Sequence, residues 1–131
     1  MALRLTRLGN PFVRALLRSP LHRLLSGTLL LFTYNGRRTG RAHWLPVMYA
    51  RDGGRLIVFA AWPERKRWWR NFEGAPEPAR VLEAGRWIDA TAEVVRDPDR
   101  VAAARRAFVA RFPKAGASLD GAALVEVTPV A

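Results

Sequence analysis

Cysteine is absent from this chain of 131 residues, which excludes a disulfide framework, a thiol nucleophile and a thiolate metal site. Histidine is almost absent too. His22 and His43 are the whole supply, too few for a typical zinc site, so no metal is expected. No apolar run reaches the roughly 18 residues that a membrane-spanning helix needs. The basic N-terminus lacks a continuous apolar stretch leading to a small-residue cleavage site, so a cytoplasmic protein is expected. Acidic residues are missing from the whole first third. None precedes Asp52, whereas Arg4, Arg7, Arg14, Arg18, Arg23, Arg37, Arg38, Arg41 and Arg51 all do. Most of the chain's net charge of +11 therefore sits in its N-terminal part. What is plentiful is apolar surface, at 50% of residues, which favours a folded domain over disorder.

Asn10-Pro11 and Ser19-Pro20 each pair a capping residue with a first-turn proline. Phe12, Val13, Leu16, Leu17, Leu21, Leu24 and Leu25 then recur at helical spacing. Two short basic amphipathic helices are expected over 11–18 and 20–26, within an N-terminal segment 1–27. They either cover the core or attach to an anionic membrane surface on its inner face. Strands are expected at 28–34, 42–50 and 55–61, the last two joined by the hairpin signal Arg51-Asp52-Gly53-Gly54. Pro46 inside the second marks an edge or bulge, because proline cannot donate to a ladder. A helix is expected from Pro63 to Phe72, a hairpin over 80–96, a helix after Asp97-Pro98 to about Phe112, and a closing strand at 124–127. The fold class is mainly β (α+β): five or six antiparallel strands forming one globular unit over 28–131. Closure into a barrel would remove exposed edges.

The segment Gly36-Arg37-Arg38-Thr39-Gly40-Arg41 joins the first two strands. Glycines let backbone turn and approach a ligand, and arginines beside exposed N–H groups favour an anion such as a phosphate or carboxylate. A second concentration of chemistry lies at Trp62, Arg67, Trp68, Trp69 and Asn71. Trp68 and Trp69 point about 100° apart on a helix, so Trp68 is expected toward a ligand and Trp69 toward the core. Trp87 is expected to pack in the barrel. Ser19, Ser26 and Ser118 lack a nucleophile-elbow motif, so no hydrolase is indicated, and no catalytic residue can be named.

Gly36-Arg37-Arg38-Thr39-Gly40, then Pro46, then Arg51-Asp52-Gly53-Gly54, then Trp68-Trp69-Arg70-Asn71-Phe72, resembles the deazaflavin-dependent nitroreductase family in order and spacing. The resemblance implies an antiparallel split β-barrel of the FMN-binding, pyridoxamine-phosphate-oxidase-like class. It also implies an oxidoreductase that binds coenzyme F420 and passes hydride to a small electron acceptor such as a quinone or nitro compound. Carried over by position, Arg37, Arg38, Thr39, Gly40, Arg41 and His43 face the phosphate and acidic tail. Pro46, Phe59, Ala61, Trp62, Arg67, Trp68 and Asn71 border the rest of the cofactor. His43 stands where the family often has arginine. The chain also lacks the C-terminal tyrosines of nitro-drug-activating members, which predicts a different substrate.

Three alternatives are set beside that reading. One is an FMN-binding relative of the same barrel. The others are non-enzymatic basic modules binding anionic membrane through residues 11–26, or nucleic acid. Nucleic acid is disfavoured because no recognised binding motif is present. A homodimer is expected, since strands apolar on both faces need more cover than two helices give.

Overall fold

A computed structural model describes residues 29–61, 63 and 67–130. The N-terminal segment 1–27, its two expected helices and Trp62 lie outside the described residues. The strands are β1 (Leu29–Asn35), β2 (Ala42–Met48), β3 (Ala50–Asp52), β4 (Arg55–Ala60), β5 (Glu77–Glu83), β6 (Arg86–Val95) and β7 (Ala123–Pro129). One α-helix, α1 (Pro98–Arg111), and two short 3-10 helices, Trp68–Phe72 and Pro113–Leu119, complete the described elements. Hydrogen bonding orders the strands β2-β1-β5-β6-β7-β4-β3, and the ladders β1–β2, β1–β5, β3–β4 and β4–β7 are antiparallel. The α+β antiparallel class expected from the sequence is the one found.

Seven strands appear where five or six were expected, because the single strand expected over 42–50 is two. Residues 42–48 pair with β1 and residues 50–52 with β4, so the chain changes ladder at Tyr49. The helix expected over 63–72 also differs. Its described part is a single 3-10 turn, Trp68–Phe72. The Asn71 side chain donates to the Trp68 carbonyl (2.9 Å), occupying an acceptor that a longer helix would use. Gly74, at φ +92°, then turns the backbone away.

The described residues form two compact units. The first comprises residues up to Met48, Pro78–Ala90 and Val130. Leu30, Leu31 and Phe32 of β1 are wholly buried, as a strand apolar on both faces requires. Pro46 lies opposite Leu31 on β2, the strand at one end of the order, a position where sheets tolerate proline. Leu31 and Leu82 pack with Trp44 and Trp87, whose rings meet edge to face at 5.9 Å. The Arg80 guanidinium covers Trp87 at 4.9 Å and binds Asp89 at 2.9 Å. Trp87 is a packing residue, as expected.

The second unit comprises Tyr49–Glu77 and Thr91–Pro129. Leu56, Ile57 and Val58 of β4 are buried, and β4 pairs along its length with β7. Asp97 caps α1 by accepting from the Arg100 N–H, with Pro98 in the first turn. The helix buries Ala104 and Phe108, and Phe108 meets Phe59 edge to face at 5.4 Å. Glu126 is buried on β7. Arg100 pairs with it directly and Arg55 lies at 3.9 Å, supplying the countercharge that a buried carboxylate needs.

Candidate functional site

Within the first unit, the connection Gly36–Arg41 between β1 and β2 is a closed turn. The Gly36 N–H donates to the Arg41 carbonyl at 2.7 Å, and the Gly40 N–H to the Gly36 carbonyl at 2.8 Å. Gly40 adopts φ +69°, the left-handed conformation that glycine takes without strain. Thr39 Oγ1 accepts from the Arg41 N–H at 3.2 Å, a turn-stabilising role that leaves its own proton able to donate. Arg37, Arg38 and Arg41 are exposed, and among the described residues neither Arg38 nor Arg41 pairs with a carboxylate.

His43 is the residue that underlies the turn. In the β1–β2 register it stands opposite Tyr34, and the two rings stack at 5.0 Å with planes 8° apart. A Cβ added to Gly36 would come within 2.8 Å of His43 Nε2 and 3.1 Å of Thr39 Oγ1. Gly36 is therefore needed for the close approach of its backbone to the imidazole. Desolvation, reinforced by the nearby Arg41 charge, holds the His43 pKa below its ordinary 6.5, so the ring is neutral at neutral pH. Burial pushes the Tyr34 hydroxyl up to about 12, so it stays protonated.

Gly36→Ala is expected to push the imidazole off Tyr34, at a cost of about 1–3 kcal/mol for overpacking. Gly40→Ala meets nothing within 4 Å and should cost only the backbone strain of about 1–2 kcal/mol. NMR distinguishes them: the ring-current shift of the His43 protons should vanish in Gly36→Ala and survive in Gly40→Ala. Loss in both, or neither, would deny His43 its place under Gly36.

Alternation along β2 puts His43 on one face with Leu45 and Val47, and Pro46 on the other with Trp44 and Met48. The structure thus gathers Arg38, Thr39, Gly40, Arg41 and His43 at one turn and separates Pro46 from His43 across the strand. Tyr34 was not singled out from the sequence. Counting outward from the turn, with Asn35 opposite Ala42, would have found it.

Within the second unit, Phe59 is half-buried on β4 against Phe108, and Ala61 follows the strand's end. Arg67 is exposed at the start of the 3-10 helix. Trp69 is buried and donates its indole N–H to the Pro63 carbonyl at 3.1 Å. Trp68 is only half-buried, edge to face with Phe72 at 6.3 Å, and Asn71 is half-buried beside it. Its neighbour goes to the core and Trp68 does not.

The described residues hold no group of three or more metal-ligating side chains. None of the described helices is long and apolar enough to cross a membrane.

The chain is similar in fold to a solved F420-H2 dependent reductase, with 19% identity over 76% of this chain and 93% of that one, at a TM-score of 0.63. It is similar to the heme storage protein HutZ of Vibrio cholerae, with 17% identity over 87% and 91% of the two chains and a TM-score of 0.62. A structure described as a domain-swapped dimer matches at 18% identity over 76% and 79%, with a TM-score of 0.62. At these identities the likeness establishes the fold, the split barrel that the sequence resemblance implied. No curated protein matches. The family described as F420H(2)-dependent quinone reductase matches residues 7–118. With most of its length matched, the chain belongs to the F420H2-dependent quinone reductases, oxidoreductases whose cofactor is coenzyme F420.

Proposed function

We propose that this protein uses F420H2 to reduce a small electrophile of the quinone class, and that the β1–β2 turn holds the anionic end of the cofactor. The observation that carries the second part is the pair of exposed guanidiniums, Arg38 and Arg41, on a closed turn with no carboxylate partner among the described residues. Such cations favour phosphate and carboxylate groups, and Thr39 keeps a hydroxyl proton to donate. The donor set fits an anion in chemistry and in exposure.

Arg37, Gly40 and His43 belong to the same proposed contact. Pro46, Phe59, Ala61, Trp62, Arg67, Trp68 and Asn71 are proposed for the remainder of the cofactor, on the strength of the family resemblance. For Trp68 its partial exposure adds support, since an indole left out of the core can stack on a flat ring. When bound, the reduced deazaflavin supplies the hydride. The residues of this chain bind it, orient it and fix charge around it. Homodimerisation belongs to the same reading, supported by the domain-swapped dimer among the similar folds.

Titrating purified protein into F420 and following the ligand's fluorescence tests the proposal, with FMN as the control. Saturable F420 binding at micromolar levels, with little for FMN, is the expected result. FMN binding without F420 binding would replace the reading with the flavin alternative, and binding of neither would remove the cofactor assignment.

A further inference from the structure

Four features of His43 bear on what it does at the turn. Its ring is stacked on Tyr34, its Nε2 lies against the Gly36 backbone, Thr39 Oγ1 converges on the same point, and Arg41 is two positions away. Among the described residues no carboxylate pairs with it, and neither ring nitrogen has a hydrogen-bond partner. The imidazole is thus fixed in place by packing while its proton-binding atoms remain uncommitted. We propose that His43 is a positioning residue for the Gly36–Arg41 turn, and that an anion bound at this turn is taken up together with a proton on its imidazole. This deepens the reading of the turn as an anion site and rests on it.

The coupling follows from the charges that face the ring. The charge that acts on the ring is Arg41 of the turn, with Arg38 and Arg37 on the same cationic connection, and from β1 the ring meets Tyr34, which is neutral. In the free protein a proton on His43 would add positive charge to a positive cluster, in a partly desolvated position. The pKa is accordingly lowered. An anion seated among the arginines reverses the sign of the local field and favours imidazolium. The sign is then fixed by linkage. The bound state takes up a proton that the free state does not, so affinity rises as pH falls through the bound-state pKa, and levels off below the free-state one. Within that window the dissociation constant should change by up to about tenfold per pH unit. A family arginine at this position would give no such dependence, because guanidinium does not titrate.

Sulfate is a suitable probe because its charge is constant over the working range, about pH 5 to 8. The pKa of His43 is measured by NMR with and without sulfate, and its signal is assigned by its loss in His43→Gln. An upward shift at saturating sulfate is expected, with sulfate affinity rising as pH falls in the wild type and flat in His43→Gln. An unmoved pKa, an equal pH slope in His43→Gln, or no sulfate binding would each overturn the proposal. F420 titration on the same samples separates this result from the cofactor reading. A His43 shift with sulfate but no F420 binding would remove the cofactor while leaving the proton coupling. F420 binding that depends on Arg38 and Arg41, with His43 unmoved by either ligand, would do the opposite.

Discussion

Arg38→Ala combined with Arg41→Ala should weaken F420 binding by at least two orders of magnitude. A hydrogen bond to a charged group contributes about 1.5–3 kcal/mol, so each arginine accounts for roughly a tenfold to hundredfold change. Both side chains are exposed, which moves the expectation toward the lower end for each through screening. The loss should come without unfolding, because neither guanidinium carries an ion pair that the described fold depends on. Arg86→Ala is the matched control: it removes one exposed cation from the start of β6, away from the β1–β2 turn. If Arg86→Ala weakens binding as much as either turn variant, general electrostatics holds the cofactor and the turn is no specific site. Lysine replacements refine the result. Lysine keeps the charge but not the planar fork, so partial recovery would point to simple charge and poor recovery to bidentate contact.

Phe72→Ala should destabilise the protein by about 3–5 kcal/mol, a large part of the 5–15 kcal/mol of a typical domain. Phe72 is among the largest wholly buried side chains and ends the 3-10 turn that carries Trp68 and Asn71. Its ring supports Trp68 edge to face, so its removal leaves a cavity and frees the indole. Thermal unfolding should show Tm lower by roughly 10 °C or more. Trp68→Ala is the contrast, because that side chain is only half-buried and should cost much less stability. Equal losses would mean that Trp68 is a core residue, and its proposed place beside the cofactor would fall.

Much of the local structure is legible in the residues because its causes are local. Asp97-Pro98 opens α1 since the carboxylate accepts from the Arg100 N–H, three residues on in the first turn, whatever the tertiary context. The hairpin around Gly53-Gly54 follows from Gly53 at φ +64°, a conformation its neighbours would resist. The helix expected over 63–72 fails for a related reason. Periodicity of tryptophan and arginine suggests a helix, but the stretch Trp68–Phe72 is short and its Asn71 amide competes for a helical carbonyl. Nothing in periodicity reports that competition.

The charges show the same boundary. The absence of acids before Asp52 already marks the stretch 36–41 as cationic with no acidic residue near it in sequence. That absence cannot say which buried carboxylate distant arginines must serve. Glu126 draws on Arg55 and Arg100, far away along the chain and adjacent only after β4 and β7 pair and α1 docks.

By itself, then, the sequence determined the antiparallel class, the cationic turn between the first two strands and the assignment to a cofactor-using family. Each depends on residue type and spacing over a few positions. Tertiary structure alone decided that the strand over 42–50 divides between two ladders. It alone put His43 beneath Gly36, stacked on Tyr34. Those outcomes turn on strand register and close packing. A shift of one residue sends every side chain to the opposite face, and an added Cβ at Gly36 would come within 2.8 Å of His43 Nε2.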